Sequence, residues 1–224
     1  MAQDQWTAVD DYFTDVLVRR FRPLDGVQEA CAAAGLPAIS VSPPQGKLLN
    51  ILARIRGARS ILEIGTLGGY STIWLGYGMA KDGKLITLES DPKHAEVATA
   101  NIARAGLSDR VEVRQGLALD SLREIKKNEE FPFDFVFIDA DKPSIPDYWW
   151  WALRLTRAGA IIIVDNVVRE GEVVDANSKD ASVQGVRRFM DLVAAESRVS
   201  ATAIQTVGIK GYDGFAIAVV LGDA

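Results

Sequence analysis

FDFVFIDADKPSIPDYWWWALRLTRAGAIIIVDNVV, Phe133 to Val168, holds two apolar runs rich in Val, Ile and Phe, one ending at Asp139 and the other at Asp165-Asn166. A helical stretch of about 16 residues joins them. Apolar runs without polar alternation, linked by a helix, are the pattern of parallel strands covered on both faces, so the segment is predicted to be a βαβ unit. Neighbouring strands lie roughly 4.8 Å apart, and ligands of open α/β sheets collect outside the carboxyl ends of the strands. If the two strands are neighbours, Asp139, Asp165 and Asn166 converge at one sheet edge. Three oxygen donors so placed suit a hard divalent cation such as Mg²⁺ or Ca²⁺. Taken singly, each acid reads more simply as a cap on the helix or loop after its strand; the three together favour a site.

Upstream, Ser60-Ile-Leu-Glu-Ile-Gly-Thr-Leu-Gly-Gly-Tyr-Ser-Thr72 is a short apolar strand that turns through Gly65, Gly68 and Gly69 into a helix predicted over 71–79. Glycines there let a ligand approach the backbone, and the helix start offers N–H groups to an anion. From Gly65 the spacing is G-x-x-G-G, not the G-x-G-x-x-G of dinucleotide sites, which points to a nucleotide-like ligand without a pyrophosphate. A second strand over 84–88 ends at Glu89, an acid placed to take ribose hydroxyls or else to sit in solvent near a helix N-terminus. Asp91-Pro92 opens the next helix as N-cap and first residue. His94, the only histidine, reads as a surface residue, which disfavours histidine-based catalysis.

A third strand over 111–114, the polar loop 169–180, a helix over 182–196 and a closing hairpin (200–207 and 214–221) complete an alternation of strands and helices. The expected fold is α/β: a doubly wound, Rossmann-like, mostly parallel sheet with an antiparallel C-terminal hairpin strand. N-terminal helices over 6–21, 27–34 and 45–56 precede it, the first with Trp6, Val9, Phe13, Val16, Leu17 and Phe21 on one face. Residues 1–224 are expected to form a single domain, with 1–57 a helical extension and lid loop and 58–224 the core. In the helix of the opening stretch, Tyr148, Trp151, Ala152 and Leu155 share one face. Trp150 shares the other with Arg154 and Arg157, so Trp150 should be partly exposed, as an interface anchor or lying flat on its own helix.

The 224 residues carry a net charge of −5 and no Lys/Arg cluster, which gives no footprint for DNA or RNA and leaves a small-molecule partner as the expectation. No apolar run approaches the roughly 20 residues needed to span a bilayer, and the first residues do not read as a signal peptide. One cysteine, Cys31, expected to be small and buried, excludes an internal disulfide and fits a cytoplasmic protein.

From Ile39-Ser-Val-Ser-Pro through LEIGTLGGYS, LITLES, the QGLAL turn, FIDADK and VDNVV, the chain resembles class I S-adenosylmethionine-dependent O-methyltransferases. Within that class it is similar to the cation-dependent caffeoyl-CoA and catechol O-methyltransferases and their bacterial relatives. The resemblance implies that Gly65 and Thr66 line the methionine half of the cofactor, with Ser71 holding its carboxylate, Glu63 its amino group and Val41 closing over that end through its backbone. It further implies Glu89 on the ribose, Ala118 at the adenine, Asp139, Asp165 and Asn166 as metal ligands, with Asp139 also at the cofactor, and Lys142 as the lysine beside the acceptor oxygen. A homodimer is expected on the same ground.

Such an enzyme mainly has to align acceptor oxygen, methyl carbon and sulfur. Two adjacent hydroxyls bound to a cation become more acidic, and Lys142 could take the remaining proton. The expected acceptor is thus a small phenolic, vicinal dihydroxy compound of the catechol type. Ile145 stands where plant members carry a tyrosine, and nothing in 169–180 matches the acid that grips the second hydroxyl in catechol O-methyltransferase, so the acceptor pocket does not carry over. Methylation of a hydroxylated tRNA base is the alternative, disfavoured by the acidic balance. A nicotinamide-dependent oxidoreductase is disfavoured by the glycine spacing.

Overall fold

The computed structural model describes residues 2–18 and 21–222. The described residues form one seven-stranded sheet built from β1 (Ser60–Ile64), β2 (Lys84–Glu89), β3 (Val111–Gln115), β4 (Phe133–Ile138), β5 (Thr156–Asp165), β6 (Val199–Gly208) and β7 (Gly211–Val220). Their order is β3-β2-β1-β4-β5-β7-β6; the first five are parallel, β7 runs antiparallel to β5, and β6 antiparallel to β7. All six residues of β4 are buried, as a strand covered on both faces requires. Alternate side chains separate two cores. Phe135, Phe137, Ile161 and Ile163 face one side, with Leu49 of α3 (Pro43–Arg56), Trp74 of α4 (Tyr70–Gly78) and Ile102 of α5 (Pro92–Arg104). Val136, Ile138, Ile162 and Val164 face the other, with Leu122 of α6 (Ala118–Lys127), Trp149 of α7 (Ile145–Leu155) and Phe189 of α8 (Ala181–Ala195). The doubly wound sheet expected from the sequence is therefore present.

Register decides what meets at the carboxyl edge. Ile64 pairs with Leu88 on one side and Ile138 on the other, and Ile138 pairs with Val164. The next residue of each strand, Glu89, Gly65, Asp139 and Asp165, therefore stands in one row across β2, β1, β4 and β5.

Two expectations need correction. The first helix, α1, covers Ala2–Phe13 and continues as a π-turn over Thr14–Val18, while Arg19 and Arg20 of the expected span lie outside the described residues. Its apolar positions Val9, Phe13, Val16 and Leu17 are exposed, because α1 docks on the β6–β7 hairpin through polar groups. Gln3 donates to the Gly208 carbonyl and the Ile209 N–H donates to Asp10. From this stretch Val18 and Phe21 pack against the core, Phe21 stacking on Trp74 at 4.2 Å. Second, α7 is an 11-residue helix preceded by a three-residue 3-10 turn at Lys142–Ser144, because Pro143 and Pro146 restrict its start and Thr156 turns extended. Arg157 is consequently in β5, paired with Asp134 at 3.1 Å, and does not share a helix face with Trp150. Trp150 is 50% exposed, as expected, with the Arg154 guanidinium 4.4 Å over its ring. Trp149 is the deeply buried tryptophan of the three, edge-on to Phe189. Cys31 of the short helix α2 (Val27–Ala33) is buried.

Candidate active site

The row of strand ends opens into a cavity of about 880 Å³. It extends from Ala118 and Glu89, past Gly65 and Ser71, to Asp139, Lys142, Asp165 and Asn166, and on to Arg169 and the tip of the β6–β7 hairpin. The turn after β1 can exist only with glycine at its first position. Gly65 has φ +94°, and a Cβ there would lie 2.0 Å from the Asp139 carbonyl oxygen. The β1 and β4 exits therefore touch backbone to backbone. Gly69, at φ +83°, ends the turn and caps α4.

Glu89 holds this turn from the side: its Oε2 accepts the N–H groups of Thr66 (3.2 Å) and Leu67 (2.8 Å), and its Oε1 accepts that of Asp91 (2.9 Å). Its carboxylate still lines the cavity. His94, expected in solvent, stands instead in the cavity wall with Nδ1 3.7 Å from Glu89 Oε1. It gets there because Asp91 accepts from the Lys93 and His94 N–H groups and starts α5 directly after the strand end.

Glu63 is fully buried and lies behind the cavity wall rather than in it. Three hydroxyls donate to it: Ser71 (2.7 Å), Thr87 (2.7 Å) and Thr72. Burial pushes its carboxyl up to about 7, against those hydrogen bonds. Ser71, whose hydroxyl bridges Glu63 and the cavity, is the lining member of the set. Thr66 lines the cavity too and shares a hydrogen bond with Thr87. Val41 lies in the loop between α2 and α3 and lines the cavity from the N-terminal extension.

At the other end the Lys142 ammonium donates to Asp139 Oδ1 at 2.9 Å. Asp165 is nearly buried; its carboxyl is raised to about 7, first by burial and then by the neighbouring Asp139 charge, with Lys142, the Asn166 N–H and Gln45 opposing. Asn166 takes φ +57°, a left-handed conformation that asparagine tolerates, and lines the cavity beside Asp165. Among the described residues no group of three or more His, Cys, Asp or Glu side chains is arranged to hold a metal. The candidate set is instead two carboxylates and one amide.

The sequence profile described as "O-methyltransferase" matches residues 19–218 of the chain. The chain belongs to this family. The catechol O-methyltransferase of Niastella koreensis is 51% identical over 213 residues, covering 95% of this chain and 96% of the relative. Among solved structures, the O-methyltransferase from Bacillus cereus in complex with SAH superposes with a TM-score of 0.96 at 61% identity, covering 97% of this chain and 99% of that one. The O-methyltransferase TomG from Streptomyces achromogenes, involved in tomaymycin synthesis and in complex with SAM, gives 0.95 at 51% identity, covering 99% and 100%. The chain is thus an S-adenosylmethionine-dependent O-methyltransferase, and among the described residues no helix is long and apolar enough to cross a membrane.

Three parts of this methyltransferase's cavity have no clear signal in the sequence. Gln45, in the first turn of α3, reaches Asp165; a polar residue after two prolines reads only as a helix start. Tyr148 donates to Asp141 Oδ1 at 2.6 Å, and both line the cavity, although the helical pattern marks Tyr148 merely as a core position. Lys210, in the hairpin turn, donates to the Ala38 carbonyl at 2.6 Å and ties the hairpin to the loop carrying Val41. Sequence alone does not bring those two loops together.

Proposed function

We propose that this enzyme transfers the methyl group of S-adenosylmethionine to one hydroxyl of a small vicinal dihydroxy, catechol-like acceptor, with a divalent cation held by Asp139, Asp165 and Asn166. The observation that carries the reading is the crowding of Asp139 and Asp165 at the end of β4 and β5, in the cavity that also holds Gly65, Ser71 and Glu89. Two carboxylates close enough for one to raise the other, with the single ammonium of Lys142 beside them, fit a hard cation such as Mg²⁺ or Ca²⁺. When bound, such an ion lowers the pKa of adjacent hydroxyls and fixes their geometry.

The chain's own residues do the rest. Gly65 and Thr66 line the methionine half of the cofactor, and Ser71 with the backbone of Val41 meets its carboxylate near the start of α4. Asp139, together with Glu63 acting from behind Ser71, serves the amino end. Glu89 takes the ribose hydroxyls and Ala118 lies at the adenine. The acceptor oxygen forms a bond to the methyl carbon as the carbon–sulfur bond breaks, and the sulfonium keeps the electron pair. The hydroxyl proton passes to Lys142 Nζ in its neutral amine form, the ammonium having first given one proton to solvent. Residues 1–57 cover the site and 58–224 form its core, in a cytoplasmic homodimer whose contact uses the exposed apolar side chains of α1. The test is a panel of acceptors assayed with labelled S-adenosylmethionine: catechols should be methylated and their mono-hydroxylated analogues should not, while equal turnover of both would overturn the assignment. Lys142→Met retaining full turnover would remove Lys142 as the proton acceptor.

A further inference from the structure

Lys142 is carried by a turn with little structure of its own. Asp141 caps a single 3-10 turn over Lys142–Ser144, Pro143 supplies no N–H, and the Ser144 N–H reaches the Asp141 carbonyl at 3.3 Å. The ammonium is held by Asp139 Oδ1 at 2.9 Å, and the backbone position of Lys142 is imposed by two elements of the helical layer.

From α7, Tyr148 donates its hydroxyl to Asp141 Oδ1 at 2.6 Å. The ring is buried in the core beside α8, so the anchor is rigid, and Asp141 is the residue directly before Lys142. From α8, Gly185 lies against the Lys142 backbone. A Cβ on Gly185 would stand 2.2 Å from the Lys142 carbonyl oxygen, 2.8 Å from its carbonyl carbon and 2.8 Å from Pro143 Cα. Arg188, one helical turn on, donates to the Pro143 carbonyl at 3.3 Å. A glycine inside a 15-residue helix is destabilising relative to alanine, so its presence calls for a reason, and this contact is one. Gly185 does not line the cavity.

We propose that Tyr148 and Gly185 form a two-sided clamp that positions Lys142 against the acceptor end of the cavity. The inference rests on the role of Lys142 given above. Tyr148 fixes the turn through the Asp141 side chain, and Gly185 sets its depth by letting α8 touch the backbone. An alanine at 185 has to open a 2.2 Å contact to the 3.4 Å at which ordinary packing begins, moving the Lys142 carbonyl by about 1.2 Å. A displacement of that size at a reacting group lowers turnover on the order of 100-fold.

The experiment measures methyl transfer from labelled S-adenosylmethionine to catechol for Tyr148→Phe, Gly185→Ala and Lys142→Met, and for Tyr148→Phe combined with Lys142→Met. S-adenosylhomocysteine affinity is measured by calorimetry alongside. The clamp predicts that Tyr148→Phe lowers kcat at least 10-fold and leaves KM for the cofactor and S-adenosylhomocysteine affinity within twofold. It predicts a kcat loss on the order of 100-fold for Gly185→Ala. It also predicts that Tyr148→Phe has no further effect once Lys142 is gone, because residues acting as a unit are not additive. Tyr148→Phe keeps the test decisive should Gly185→Ala fail to fold. Equal fold-losses from Tyr148→Phe with and without Lys142 would overturn the clamp, as would full turnover of Tyr148→Phe in a protein that Lys142→Met inactivates. Full turnover of Lys142→Met would instead strike at the role of Lys142 itself.

Discussion

Gly65→Ala is the substitution on which the cofactor side and the carboxylate side of the cavity stand or fall together. The added methyl would sit 2.0 Å from the Asp139 carbonyl oxygen and 2.8 Å from its carbonyl carbon, both backbone atoms that no rotamer change can move. Restoring a 3.4 Å contact requires the β1 and β4 exits to part by about 1.4 Å. Two hydrogen bonds resist this: Asp139 N–H to the Ile64 carbonyl at 2.9 Å, and Gly65 N–H to the Leu88 carbonyl at 3.0 Å. The φ of +94° adds strain of about 1–3 kcal/mol for an L-residue, and overpacking a close contact adds a similar amount. A stability loss of about 2–6 kcal/mol is expected in urea unfolding. Because the same movement carries Asp139 away from Lys142 and Asp165, kcat/KM should fall by at least ~100-fold even where the variant remains folded. The assay is methyl transfer at a temperature well below the variant's unfolding midpoint. A folded Gly65→Ala with turnover and urea midpoint near those of the wild type would refute the backbone contact and the shared placement built on it.

Other expectations are as specific. Glu63, raised from 4.5 to about 7 by burial, binds its proton more tightly folded than unfolded, so its contribution to stability is full below pH 4.5 and is lost as pH rises through 7. The shift is worth about 3 kcal/mol, and Glu63→Gln should flatten the fall in unfolding free energy between pH 4.5 and 7.5 by that order; an unchanged slope would count against it. Asp134, buried at the opposite end of β4, accepts from the Arg59 and Ser60 N–H groups and from Arg157. Asp134→Ala should therefore cost about 2–4 kcal/mol while S-adenosylhomocysteine affinity stays unchanged, as calorimetry and urea melts would record. Phe13→Asp with Leu17→Asp should turn a dimer into a monomer in sedimentation; a dimer that survives both would move the contact elsewhere.

The strands and their ends were legible because burial on both faces leaves a plain trace: FDFVFI and AIIIVD carry no polar alternation, and the acids that end them fall where apolar pressure stops. Gly65 was legible as a turn glycine open to a ligand, but its contact with the Asp139 backbone was not. What could not be read were meetings between distant elements. His94 looked solvated because its helix starts with a capping acid, yet that cap places it against Glu89. Glu63 was placed at the cofactor's amino group by the resemblance alone, and the three hydroxyls of Ser71, Thr72 and Thr87 that enclose it come from segments its own strand does not reveal. The α1 stripe read only as one face of an amphipathic helix, because periodicity reports amphipathicity and not what covers it. Gln45 and Lys210 reach the site from segments that only the folded chain brings near.

The central claim is that the pair Asp139 and Asp165, with Asn166, holds a divalent cation needed for methylation of a catechol. Its most direct test is methyl transfer from labelled S-adenosylmethionine to catechol in Mg²⁺, after chelation, and after Mg²⁺ is restored. Transfer that chelation abolishes and Mg²⁺ returns, with Asp165→Ala inactive in both conditions, is the predicted result. Transfer that proceeds equally under chelation would contradict it.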